Sequence, residues 1–83
     1  MSDIREQRWQ KQIDRGLYSG QKFYFYAVTT SSVIAAGGRR VMQRHREFLI
    51  SNGFACSAIA EDVSKSKVYI EFTVLSLPVA ALA

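Results

Sequence analysis

Few side chains in this sequence are equipped for covalent or acid–base chemistry. There is one histidine, His45, one cysteine, Cys56, and one adjacent carboxylate pair, Glu61-Asp62. A cysteine nucleophile needs a base beside it and a third group to orient that base. Nothing supplies that third member for a Cys56–His45 pair. Zinc favours imidazole and thiolate ligands, so a zinc site within one chain would have to lean on carboxylates. His45 falls between Val41 and Phe48 on the apolar side of a helical pattern. It reads as a half-buried, hydrogen-bonded residue at the edge of a core. Cys56 lies in a run of small residues and reads as a buried hydrophobe. Glu61 and Asp62 are neighbours at a strand end, where side chains point apart, so they are not placed to share a proton. The expectation is a protein that is not an enzyme and uses no cofactor or metal.

Recognition chemistry is better supplied. The stretch Arg39-Arg40-Val41-Met42-Gln43-Arg44-His45-Arg46-Glu47 carries four of the eleven basic residues in nine positions. It contributes +3 of the net charge of +4, residues 1–22 contribute +2, and the remainder is −1. Guanidinium forks match carboxylate and phosphate geometry, and a localised positive field recruits acidic groups. Arg39, Arg40, Arg44 and Arg46 are therefore candidate binding residues. The competing reading is a solvated helix face, because surface helices are normally charged. A charge of +4 does not by itself require nucleic acid, and no helix-turn-helix spacing, zinc-finger cysteines or RNA-binding loop accompanies it. Gly37-Gly38 before the arginines could offer backbone N–H groups to an anion, but close packing of helix on sheet is the simpler reason for two glycines.

Tyr24, Tyr26 and Tyr69 are the second candidate set. They fall on one face of the sheet if Val68, Ile70 and Phe72 face the core. Such rings stack on bases or anchor protein interfaces. Alternatively, Trp9, Ile13 and Leu17 cover them, or two copies pack face to face, since an uncovered apolar face is a liability.

The elements that must hold these residues follow from periodicity. Trp9, Ile13 and Leu17 recur at i, i+4 and i+8 and predict a helix over 3–15, capped by Ser2 or Asp3 and stopped at Gly16. The alternation of Trp9, Lys11 and Ile13 leaves a short strand as the alternative. Residues 21–30 form a strand rich in aromatic and β-branched residues. Both its faces are apolar, which predicts a central or doubly covered position. A helix over 32–51, starting at Ser32 or only after Gly38, presents Val33, Gly37, Val41, His45, Phe48 and Leu49 on one face and ends at Asn52-Gly53. A strand of small residues over 54–61, a turn over 62–66 and an alternating strand over 67–77 complete the order α-β-α-β-β. The expected fold is α+β: a three-stranded mixed sheet, one main helix packed on one face and a weaker N-terminal helix, within a single domain over 1–83.

Two partial resemblances attach to these elements. The aromatic strand Phe23-Tyr24-Phe25-Tyr26-Ala27-Val28 resembles that of RNA-recognition domains, although Lys67-Val68-Tyr69-Ile70-Glu71-Phe72 lacks the glycine of their partner motif and no second helix follows. The helix, Asn52-Gly53-Phe54 and the hairpin after it are similar to small mRNA-cleaving toxins of double-stranded-RNA-binding fold. That similarity spans some thirty residues and lacks the histidine those toxins carry on the strand after the helix.

Composition bounds the rest. Eighty-three residues, 48% apolar and 22% charged, match an ordinary globular chain with one modest core. A lone cysteine allows no internal disulfide and points to a reducing compartment. The charged N-terminus lacks a signal-peptide core, and the apolar run 72–83 is about half a bilayer span. The expectation is a cytoplasmic, phage- or mobile-element-like binding or inhibitor protein. It would dock a basic helix and aromatic residues on a protein or ribonucleoprotein complex with an acidic surface. Nucleic-acid regulation is the alternative, and homodimerisation through the tyrosine face or the residues 75–83 is the self-association this sequence allows. No membrane partner is expected.

Overall fold

Asp3 opens the first helix by accepting the Arg5 amide on Oδ1 at 3.1 Å, which satisfies one of the unpaired N–H groups of the first turn. The computed structural model describes residues 3–79; the candidate Ser2 cap and residues 80–83 of the apolar tail lie outside them. Helix α1 spans Ile4–Arg15 and ends at Gly16, whose φ of 101° is left-handed backbone. The helical reading holds over the strand alternative. Trp9 and Leu17 are buried and Ile13 packs against the core.

Among the described residues, strand β1 (Lys22–Ala27) pairs only with β4 (Val68–Ser76), antiparallel, with Phe23 opposite Phe72 and Phe25 opposite Ile70. Phe23, Phe25 and Ala27 turn inward, while Lys22, Tyr24 and Tyr26 are exposed. The expectation of a central or doubly covered strand is thus corrected: β1 is an edge strand with one covered face. Its Phe/Tyr alternation explains this, because a phenol keeps its hydroxyl in water where a phenyl ring cannot.

Helix α2 (Ser32–Ser51) starts where Ser31 Oγ accepts the Ile34 amide at 3.3 Å, and it runs unbroken through Gly37 and Gly38. A Cβ at Gly38 would overlap the Phe25 ring, whereas one at Gly37 would meet nothing within 4 Å. The buried face is Ala35, Gly38, Met42, His45 and Leu49, not the expected one through Val33, Gly37 and Val41; Val33 is 79% exposed. The small Ala35 and Gly38 decide the rotation, since they let the helix approach the sheet closely. At the far end Gly53 (φ 93°) donates to Ile50 O and Phe54 N–H donates to Leu49 O, both at 3.0 Å. These bonds close the last turn and return the buried Phe54 to Leu49.

The sheet has four strands rather than three, and all its pairings are antiparallel rather than mixed. Besides β1 and β4 it holds β2 (Ala55–Cys56) and β3 (Ala60–Val63), both on the side of β4 away from β1. The expected strand 54–61 is broken at Ser57, where contacts with residues distant in sequence replace the ladder. Ser57 N–H donates to Thr73 O at 2.8 Å, but the Thr73 amide bonds Ser57 Oγ at 2.8 Å instead of a main-chain carbonyl. The freed Ser57 carbonyl accepts Arg46 Nε–H at 2.6 Å. The long β4 takes the centre, so the strands on either side of α2 each pair with β4 and not with each other. Val68, Ile70, Phe72 and Val74 lie under α2, none more than 2% exposed. Both helices are on this side, with α1 packed against α2 through Trp9 and Phe48. Among the described residues no helix is long and apolar enough to cross a membrane.

Candidate docking surface

The basic run of α2 divides by what each guanidinium touches. Arg39 Nε lies 2.6 Å from Glu61 Oε1 and ties α2 to β3. Arg44 Nη2 lies 3.2 Å from Asp3 Oδ2 and 3.8 Å from Glu6 Oε1, tying α2 to α1. Arg46 reaches inward to the Ser57 carbonyl. Arg40 is exposed and makes no ion pair or hydrogen bond among the described residues. The charge run therefore braces the fold at three points and offers one uncommitted head group. Exposed pairs of this kind are worth about 0–1 kcal/mol each, so a partner's carboxylate could compete for Arg44 at modest cost.

Arg40 and Arg44 do not act alone. Together with Arg5, Phe25, Ile34 and Gly38 they line a shallow groove between the start of α1, the first half of α2 and β1. Arg5 likewise has no carboxylate within ion-pairing distance among the described residues. Arg5 is not among the residues that sequence alone assigns to the site. Its signal was the +2 charge of residues 1–22, but nothing in the periodicity of α1 says that its first turn lies beside the arginines of α2. Asp3 is held below the usual carboxylate range, first by the Arg5 amide and then by Arg44.

The tyrosines gather on the opposite face. Tyr24 and Tyr26 are 66% and 53% exposed. Tyr69 stacks on Tyr24, with ring centroids 5.9 Å apart and planes 23° apart. Its hydroxyl donates to Glu71 Oε2 at 2.7 Å, and that bond raises its pKa. Neither helix covers this face. The expected lid of Trp9, Ile13 and Leu17 is spent on the α2 side, where Trp9 stacks on His45 at 4.8 Å and 5°. The pairing register sets Asp62 beside Tyr69, on the tyrosine face, and Glu61 beside Ile70, on the helix face. The adjacent carboxylates therefore point apart.

Of the remaining chemical side chains, His45 is enclosed, while Cys56 is half-buried rather than the expected buried hydrophobe. His45 is 5% exposed between Trp9, Phe23 and Phe72. Its buried Nε2 has no hydrogen-bond partner among the described residues, which corrects the expectation of a hydrogen-bonded edge histidine. Desolvation pulls its pKa down to about 4. Burial raises the Cys56 thiol, opposed by Arg46, so its thiolate fraction near neutrality is low. Among the described residues, no three His, Cys, Asp or Glu side chains are grouped to hold a metal.

Compared with known protein families, characterised proteins and solved structures, the chain matches none.

Proposed function

We propose that this chain is a non-enzymatic binding protein that docks on a larger protein with an acidic surface. The observation that carries this reading is the groove lined by Arg5, Arg40 and Arg44 beside β1, a strand whose Tyr24 and Tyr26 rings are open to water. Arginine and tyrosine together are the residue types enriched where interfaces concentrate their energy. The enclosed His45, and a Cys56 thiol whose pKa is raised by burial, favour a binding role over catalysis. A cytoplasmic setting suits the half-buried free thiol of Cys56, and an inhibitor-like action by surface occupancy suits a site built from exposed side chains.

A second reading is a nucleic-acid-binding regulator, favoured by the stacked Tyr24–Tyr69 pair, on which a base can stack. Glu71 and Asp62 on that face oppose a polyanion. Capture of a tagged chain from its native cell, with and without nuclease, separates the two. The protein-docking reading expects a nuclease-resistant protein that is lost with Arg40→Glu. A nuclease-sensitive capture, with affinity falling log-linearly with salt, supports the second reading and rejects the first.

A further inference from the structure

The edge of β1 carries more information than its side chains. In an antiparallel ladder, opposed residues alternate between pairs that exchange both main-chain hydrogen bonds and pairs that exchange none. The bond from Val74 N–H to Gln21 O, at 2.8 Å, fixes the phase. With Phe23 opposite Phe72 and Phe25 opposite Ile70, the phenylalanines bond to β4. The N–H and C=O groups of Lys22, Tyr24 and Tyr26 then point away from β4, and nothing among the described residues pairs with them. Edge strands are usually blunted by proline, bulges or charge. Here the span Lys22–Ala27 has no proline, keeps an unbroken register and holds a single charge at its first residue.

We propose that this edge takes up an extended acidic segment of the partner as an added strand; this rests on the docking reading above and names its mode. A strand laid beside β1 lies roughly 4.8 Å away and sends alternate side chains to opposite faces of the sheet. On the helix side they enter the groove of Arg5, Arg40 and Arg44, where carboxylates find guanidinium forks. On the other side they lie along Tyr24 and Tyr26, which favours apolar side chains. The recognised pattern is thus acidic and apolar residues in alternation, with main-chain bonds supplying affinity and the two faces supplying selectivity. A second copy of this chain is a poorer occupant. Two-fold pairing of β1 with itself would set both helix layers on one side and abut two arginine grooves, where like charges repel.

The test uses the full chain and a fluorescent peptide alternating glutamate with valine, read by anisotropy. The expected result is saturable binding, absent for the matching lysine–valine peptide. Arg40→Glu is expected to weaken it about tenfold or more. Tyr24→Pro, which removes an outward N–H and leaves the β1–β4 bonds in place, is expected to weaken it comparably, its fold checked by circular dichroism. N-methylation of alternate peptide residues is expected to abolish binding in one phase and spare it in the other. That arm leaves the protein untouched, so it decides even if Tyr24→Pro unfolds. Equal binding of both methylated peptides, with Arg40→Glu still disruptive, overturns strand addition while the docking reading stands. Failure of the acidic peptide to bind at millimolar concentration also overturns the proposal. The docking reading falls with it only if partner capture is insensitive to Arg40→Glu as well.

Discussion

The two faces of one sheet differ in everything but their backbone. Under α2, Val68, Ile70, Phe72 and Val74 are sealed, and both helices, the one histidine and the one tryptophan are spent on sealing them. On the other side, Tyr24 and Tyr26 of β1 and Tyr69 of β4 have no layer above them among the described residues. Both helices lie on one side of the sheet, so neither is left to cover the other. The hydroxyl that separates tyrosine from phenylalanine decides in β1 which ring meets the core and which meets water. The closed face holds the stability, and the open face with its adjoining edge stays exposed.

That contrast is sharpest in paired substitutions. Phe72→Ala opens a cavity under α2 and is expected to cost about 3–5 kcal/mol of unfolding free energy. Tyr24→Ala loses only a cross-strand stack and is expected to cost under about 1 kcal/mol in the same denaturant titration. A comparable cost at both positions would mean that the tyrosine face is covered after all.

Acid attacks the closed side through His45. The uncharged Trp9, Phe23 and Phe72 around it hold its pKa down to about 4, below the ordinary value of about 6.5. The unfolded chain therefore takes up the proton first. The stabilisation is complete above pH 6.5 and is lost as pH falls towards 4, by about 3 kcal/mol in all. Melts across that window should show the loss, and His45→Phe should flatten it. A window that persists in His45→Phe would place the titrating group elsewhere.

The arginines and glycines of α2 divide in the same way. Arg46→Ala strips the Ser57 carbonyl of its charged donor and is expected to cost about 1.5–2 kcal/mol, whereas Arg40→Ala should move stability by less than about 0.5 kcal/mol. Gly38→Ala drives a methyl into the Phe25 ring and is expected to lower stability by about 1–2 kcal/mol. Gly37→Ala meets open space, and its stability should rise by up to about 1 kcal/mol through helix propensity. Equal effects within either pair would show that the neighbouring positions are not divided between packing and solvent as described.

What the sequence disclosed was whatever depends on near neighbours. The alternation of β4 separates Val68, Ile70 and Phe72 from Tyr69 and Glu71, and the stops at Gly16 and Gly53 need only local backbone. What it hid depends on distant partners. The buried stripe of α2 follows Gly38 because of Phe25, thirteen positions earlier, so the more hydrophobic Val33 was a misleading guide. The break at Ser57 exists because its hydroxyl reaches Thr73 and its carbonyl meets Arg46. The same holds for the candidate site. The residue types were visible, but the engagement of Arg39 by Glu61 and of Arg44 by Asp3 was not, nor was the arrival of Arg5 beside Arg40.

The account is tested most directly by amide hydrogen exchange along β1 in the free protein, followed residue by residue by NMR. It predicts fast exchange at Tyr24 and Tyr26, whose amides face away from β4, and slow exchange at Phe23 and Phe25, whose amides bond to it. Uniformly slow exchange through all four would show that the edge is already occupied, and would contradict an open docking strand.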